Sequence, residues 1–272
     1  MKNLKDILES SVLGDIDDRI NNMDSETIKV TIREFVDRTY FCRQHIAISA
    51  KPNKDGKYVL TASAAVNVRD LQIESLTNGM FVWGTVYGTF DCSHCENLKS
   101  LEGSPKEIQG YFSCNRCTSL KSLENGPKRV GGPYVCSECS SLESLKGCAT
   151  ILNGYFNCSH CENLKSFKYS PKQVHDFIAR DCYSIKDLVG VTQNIKHDFT
   201  IDRCRNLKSL KGCPENIPGT FSCYACKSLK SLDYMPKTIG FDFECSNCGE
   251  KFEHSYIESK CKVRGTICND VL

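Results

Sequence analysis

A chain of 272 residues with 35 basic and 33 acidic side chains carries a net charge of only +2, so no global field recruits nucleic acid or a membrane surface. Nineteen cysteines in a secreted chain would suggest a disulfide scaffold, but the opening MKNLKDILESSVLGDIDDRI is interrupted by Asp6, Glu9 and Asp15 and lacks a signal peptide's apolar stretch. No run is long enough to span a bilayer, which leaves a reduced, cytosol-like compartment with free thiols as the expectation.

Residues 1–66 lack any repeat. Leu4, Ile7, Leu8, Val12, Ile16 and Ile20 recur at helical spacing, with Gly14 ending or kinking the first helix. Ile28, Val30 and Ile32 alternate like a strand, and His45 to Ser49 with Tyr58 to Thr61 predict a hairpin around the turn-rich Lys51 to Gly56. An N-terminal α/β cap over residues 1–66 follows, covering the first rung of whatever comes next and blocking edge-to-edge association. The opening segment is also similar to short amphipathic N-termini of tailed-phage proteins from gut bacteria. In some of these, head-targeting leaders are cut after Ile/Leu-x-Glu, and Ile7-Leu8-Glu9 fits that pattern. An ordinary amphipathic helix accounts for the same residues.

From Phe90 to Cys248 the chain repeats every 22 residues, approximately as F-x-C-S-x-C-x-x-L-x-S-L-x-x-x-P-x-x-I/V-x-G-x. An aromatic column runs Phe90, Phe112, Tyr134, Phe156, Phe177, Phe199, Phe221 and Phe243. A first cysteine column runs Cys92, Cys114, Cys136, Cys158, Ala179, Ile201, Cys223 and Cys245. The second is unbroken: Cys95, Cys117, Cys139, Cys161, Cys182, Cys204, Cys226 and Cys248. Two apolar columns begin at Leu98 and Leu101, and a closing column runs from Ile108 to Ile239. One residue is missing between Val174 and Phe177, which places the deletion in a loop. A fixed period of this length means a solenoid whose units bury their apolar faces against neighbouring copies. Val68, Ile73, Leu76 and Val86 sit one period before Phe90, Cys95, Leu98 and Ile108, which predicts a degenerate first unit.

These columns resemble a leucine-rich repeat: Phe112-x-Cys114 as the strand's inward pair, Cys117 in the asparagine/cysteine position, Leu120 and Leu123 lining the core. Prolines such as Pro105, Pro127, Pro171 and Pro236 are similar to those of short bacterial repeats. The departures are that the strand's leucines are Phe and Cys and the asparagine ladder is a thiol ladder. The resemblance implies an α/β to mainly β solenoid, a leucine-rich-repeat-like stack of short parallel strands over residues 67–248, with residues 249–272 capping its end. It is silent on chemistry. Pathogen effectors with such repeats join them to a ligase domain, for which the residues after 248 are too few.

Repeated C-x-x-C pairs also suggest zinc. Ala179 and Ile201 argue otherwise, since a small buried hydrophobe tolerates them and a tetrahedral ligand does not. Rungs about 4.8 Å apart likewise make a continuous ladder rather than isolated four-cysteine knots. The expectation is a structural cysteine ladder with no metal and no cofactor. A terminal zinc site from Cys245, Cys248, His254, Cys261 and Cys268 is the remaining metal candidate.

The residue after the first leucine is Lys99, Lys121, Glu143, Lys165, Lys186, Lys208 and Lys230, a stripe that is either a solvated flank neutralised by Glu96, Glu102, Glu124 and Glu162 or a site for an acidic partner. Aromatic residues are not interleaved with these lysines along the stripe, so nucleic acid is not expected. Between the cysteines the copies differ most. His94, Arg116, Glu138, His160, Arg180 displaced to Asp181, Arg203, then Ala225 beside Tyr224, and Asn247 form one outward column, with Asp91 heading the other. Solenoids use such faces to bind partners. No G-x-S-x-G, H-E-x-x-H or phosphate-cradling glycine loop is present. The reading is therefore a non-enzymatic, cytoplasmic protein-protein interaction solenoid binding a protein through its strand face, without nucleic acid or membrane. The alternatives are a phage structural or head-packaged protein with a cleavable leader, located in host cytoplasm or virion, and a zinc-dependent binding module.

Overall fold

The computed structural model describes residues 46–49, 51–77 and 79–270. The expected helix from Leu4, the strand at Ile28 to Ile32 and the Ile7-Leu8-Glu9 motif lie outside them. Over the described residues the chain winds as a mainly β solenoid of about ten turns, in which short parallel strands stack into one ten-stranded sheet and shorter companion sheets. Helix is limited there to the seven residues His254–Lys260.

Each turn is built the same way because each column has one job. The aromatic residue and its successor form a two-residue strand, as at Phe112–Ser113 and Tyr134–Val135, paired in parallel register with the turn on either side. Ladder bonds extend beyond those two residues. The amides of Phe112, Cys114 and Arg116 donate to the carbonyls of Pro133, Val135 and Ser137 at 2.9–3.0 Å. The chain then bends at the second cysteine, and the leucine amide closes a turn onto it, Leu120 N to Cys117 O at 3.1 Å. The closing column forms the companion strands Glu107–Ile108, Arg129–Val130 and Ile151–Leu152. Between closing strand and aromatic strand the corner is tight: a Cβ on Gly110 would lie 2.8 Å from the Gly88 carbonyl.

The core is the stack of inward columns. Successive aromatic rings from Phe90 to Phe243 lie 4.8–6.2 Å apart, and all are fully buried. At about 2–3 kcal/mol for each large apolar side chain removed from water, this column alone is a major driving term. Trp83 closes its N-terminal end, edge-on to Phe90 at 5.6 Å.

The expected hairpin is present: Ile46–Ile48 pairs antiparallel with Tyr58–Ala62, whose other edge pairs in parallel with Phe81–Val86. The hairpin is thereby part of the companion sheet. The degenerate first unit exists but its register differs from the sequence expectation. Val66, not Val68, pairs with Phe90, and Lys99 N donates to Glu74 O, which aligns Ile73 with Leu98 rather than with Cys95. Val86 does pair with Ile108. The cause is compensating length changes: the chain is one residue shorter after Leu71 and three longer before Val86, where the six-residue strand Phe81–Val86 is inserted.

Pairing continues past residue 248. Lys262–Val263 and Ile267–Cys268 add a further rung to Thr238–Ile239 and Phe243–Glu244, with His254–Lys260 occupying the leucine segment of that turn. The deletion before Phe177 also has a consequence. With the corner one residue shorter, Val174 meets Ile195 only as an isolated bridge, and the companion sheet breaks there into six-stranded and three-stranded parts. Among the described residues no helix is long and apolar enough to cross a membrane.

Candidate functional site

The outward column before the second cysteine has a backbone signature. Asp70, His94, Arg116, Glu138, His160, Asp181, Arg203, Ala225 and Asn247 all have φ between +54° and +61°. The left-handed turn is what carries the chain from the strand to the inward cysteine. For residues other than glycine and asparagine this region costs on the order of 1 kcal/mol or more each. Arg180 belongs one position earlier, and Asp181 is the true member of the column.

Stacked at rung spacing, these side chains pair with one another. His94 Nδ1 lies 3.9 Å from Asp70, Arg116 Nε 2.6 Å from Glu138, and His160 Nε2 3.7 Å from Asp181. Arg203 grips Asp181 through Nε at 3.0 Å and Nη2 at 2.7 Å. Burial pushes the Asp181 carboxyl up, but the hydrogen bonds and charge of Arg203, with His160, outweigh it and hold the group below its ordinary value. Asp181 is 4% exposed and Asp91 8%, whereas Arg116, His160 and Arg180 are open to solvent. Arg180 Nε reaches Asp202 at 3.3 Å. Tyr224 is half-buried, its amide donating to Asp202 Oδ1 at 3.1 Å. The structure thus brings Arg116, Glu138 and His160 together along a shallow groove bordered by Glu96 and Glu162, while Asp91 and Asp181 are engaged between turns.

The second cysteine column faces inward. Cys95, Cys117, Cys139, Cys161, Cys182, Cys204, Cys226 and Cys248 each donate a thiol hydrogen bond, at 3.1–3.2 Å, to the backbone carbonyl of the residue two after the aromatic in the preceding turn. The acceptor is main chain, so Ala179 and Ile201 serve as well as cysteine. Burial pushes the thiols of Cys95 and Cys158 up to about 12, and those of Cys136 and Cys226 well above their ordinary value. A thiol whose proton is held this firmly is a poor nucleophile, while Cys248, at the end of the column, is shifted the other way by its hydrogen bond with Cys223. Among the described residues no three His, Cys, Asp or Glu side chains are placed to hold one metal ion, so Cys245, Cys248, His254, Cys261 and Cys268 do not converge. His254 Nε2 instead lies 3.1 Å from the Ile267 carbonyl.

The lysine stripe divides into two. Lys99 pairs with Glu74 and Lys165 with Glu143, with Lys146 on Glu124 beside them. Lys121 in the first part, and Lys186, Lys208 and Lys230 in the second, make no ion pair among the described residues. Two exposed aromatics on the margin of this stripe, Tyr169 and Tyr234, escaped the sequence reading. Their signal was that they stand in a column otherwise filled by Gly103, Asn125, Gly147, Gly190 and Gly212. No protein-family model, curated protein or solved structure matches this chain.

Proposed function

We propose that the chain is a non-enzymatic interaction solenoid that binds a protein partner through the outward column centred on Arg116, Glu138 and His160. The observation that carries this reading is the left-handed backbone at these positions, φ +58°, +57° and +58°. Glycine would occupy it without strain, yet Arg116, Glu138 and His160 stand there with their side chains partly or largely in solvent, where they return little packing energy. Backbone cost borne by side chains that point outward is a mark of sites where the side chain itself is used. The core position and raised pKa of the Cys95, Cys136, Cys158 and Cys226 thiols support a binding role over thiol catalysis.

Exchanging the pair as Arg116→Glu with Glu138→Arg keeps the intramolecular attraction and reverses the pattern presented to a partner. The expected result is unchanged melting with loss of the proteins captured by the wild-type chain from its native cells. An identical captured set from the exchanged variant would count against this face.

A further inference from the structure

The turn that follows the second cysteine is electrically neutral in the N-terminal half of the stack and basic in the C-terminal half. In the first half Glu96, Glu102, Glu124, Glu143 and Glu162 match Lys99, Lys121, Lys146, Lys165 and Lys168. In the second half the same positions hold Lys186, Arg205, Lys208, Lys211, Lys227 and Lys230 against Asp187 and Asp233. Both acids are already occupied, Asp187 Oδ1 by the Val189 amide at 3.0 Å and Asp233 by Lys260 at 2.9 Å. Among the described residues none of the six basic side chains has an ion-pair partner. Lys208 stands directly on Lys186, its amide bonded to the Lys186 carbonyl at 2.9 Å, so the two residues are stacked at rung spacing.

Two tyrosines frame this face. Tyr169 and Tyr234 are 49% and 64% exposed, and both hold left-handed backbone, φ +72° and +68°. Between them Gly190 and Gly212 occupy the same column at φ +93° and +94°. An aromatic residue placed where glycine is the strain-free choice, with half or more of its surface in water, gains little for the fold. The two rings are three rungs apart, about 14 Å at strand spacing, with Lys186 and Lys208 on the two rungs between them and Lys230 on the rung of Tyr234.

We propose that this basic face, framed by Tyr169 and Tyr234, docks an extended acidic segment of a protein partner. An extended chain advances about 3.3 Å per residue, so about four residues bridge the two tyrosines, and carboxylates between them meet the lysine stack. The aromatic ends take apolar residues at either end of the segment. Single-stranded nucleic acid fits less well, because its binding uses stacking platforms for successive bases, and here glycines separate the two rings.

The full-length chain and a fluorescein-labelled peptide, four alternating Glu and Asp residues with a Leu at each end, test this by fluorescence anisotropy, with labelled oligothymidylate as comparator. Salt-sensitive peptide binding is expected, weakened by roughly tenfold or more in Lys186→Glu/Lys208→Glu/Lys230→Glu. Tyr169→Gly/Tyr234→Gly should also weaken it while the melting temperature stays level or rises, since glycine relieves the backbone; a purely structural role for the rings predicts the reverse. Absence of peptide binding to the wild type, undiminished binding by either variant, or tighter binding of the oligothymidylate would overturn the proposal.

Discussion

The thiol of Cys117 donates a hydrogen bond to the carbonyl oxygen of Cys92, one turn earlier, at 3.2 Å. Repeated down the stack, this contact lets a small apolar side chain both fill the core and donate to a main-chain acceptor buried in the turn. It also distinguishes the two cysteine columns: the second supplies a donor at every rung, whereas the first supplies volume and a carbonyl, with Cys92 also donating to the Ser113 carbonyl at 3.2 Å.

Cys161→Ala is accordingly expected to cost more than Cys136→Ala, although both remove the same atoms from fully buried sites. Cys161 donates to the Cys136 carbonyl at 3.1 Å, so its loss leaves a cavity and an orphaned acceptor, while loss of the Cys136 thiol leaves a cavity alone. The difference should be about 1–2 kcal/mol in urea-induced unfolding. Equal losses would reduce the thiol to a space filler.

How much of this was legible in the sequence depended on whether a column's residue types betray its environment. Phenylalanine, cysteine and leucine recurring at one period announce the core, and Ala179 and Ile201 mark the cysteines as packing rather than as zinc ligands, but nothing in the residue types showed that the second column donates hydrogen bonds. The left-handed conformation of His94, Arg116 and Glu138 was hidden because none of these residues signals it as glycine or asparagine would. Asp91 and Asp181 looked exposed because strand alternation sends them outward, but side chains stacked at rung spacing bury one another. The rung beyond residue 248 was obscured because Ile267 and Cys268 replace the Phe-x-Cys pattern and a helix replaces the leucine turn.

The Asp181 and Arg203 pair predicts a pH signature. Asp181 has its folded pKa held below the unfolded value, so its contribution is fully present above about pH 4 and is lost as pH falls through the folded value. In Arg203→Gln the carboxyl keeps its burial but loses its main partner, and its folded pKa rises. The stability gap between wild type and variant should then be about 1–3 kcal/mol near neutral pH, discounted because Arg203 is partly exposed, and should shrink on acidification toward pH 3. A gap that is constant with pH would assign the loss to packing of the guanidinium instead.

Glycines at matched backbone angles separate strain from steric conflict. Gly79 and Gly147 have φ +87° and +93°, but a Cβ on Gly79 meets nothing within 4 Å, whereas on Gly147 it lies 2.2 Å from the Leu123 carbonyl oxygen. Gly79→Ala should cost about 1 kcal/mol from backbone preference alone. Gly147→Ala should cost several times that in thermal or chemical denaturation, because the clash is with main chain and separates two turns. Similar losses at both sites would show that the stack yields locally without resistance.

Tyr134 stands alone among the rings of its column in carrying a hydroxyl, and that hydroxyl is buried with no hydrogen-bond partner. The ring is fully buried between Phe112 and Phe156, and the titratable groups around its hydroxyl are buried thiols, Cys148 foremost. Burying an unpaired hydroxyl costs about 1–3 kcal/mol, while the ring contributes the same packing with or without it. Tyr134→Phe should therefore raise stability by about 1 kcal/mol or more in urea-induced unfolding, one of the few core substitutions here expected to do so. Because stability in a stacked array spreads through nearest neighbours, the gain should appear as slower amide exchange in the turns of Phe112 and Phe156 as well as in that of Tyr134 itself. A loss of stability would mean that the hydroxyl has a partner, such as a buried water between turns.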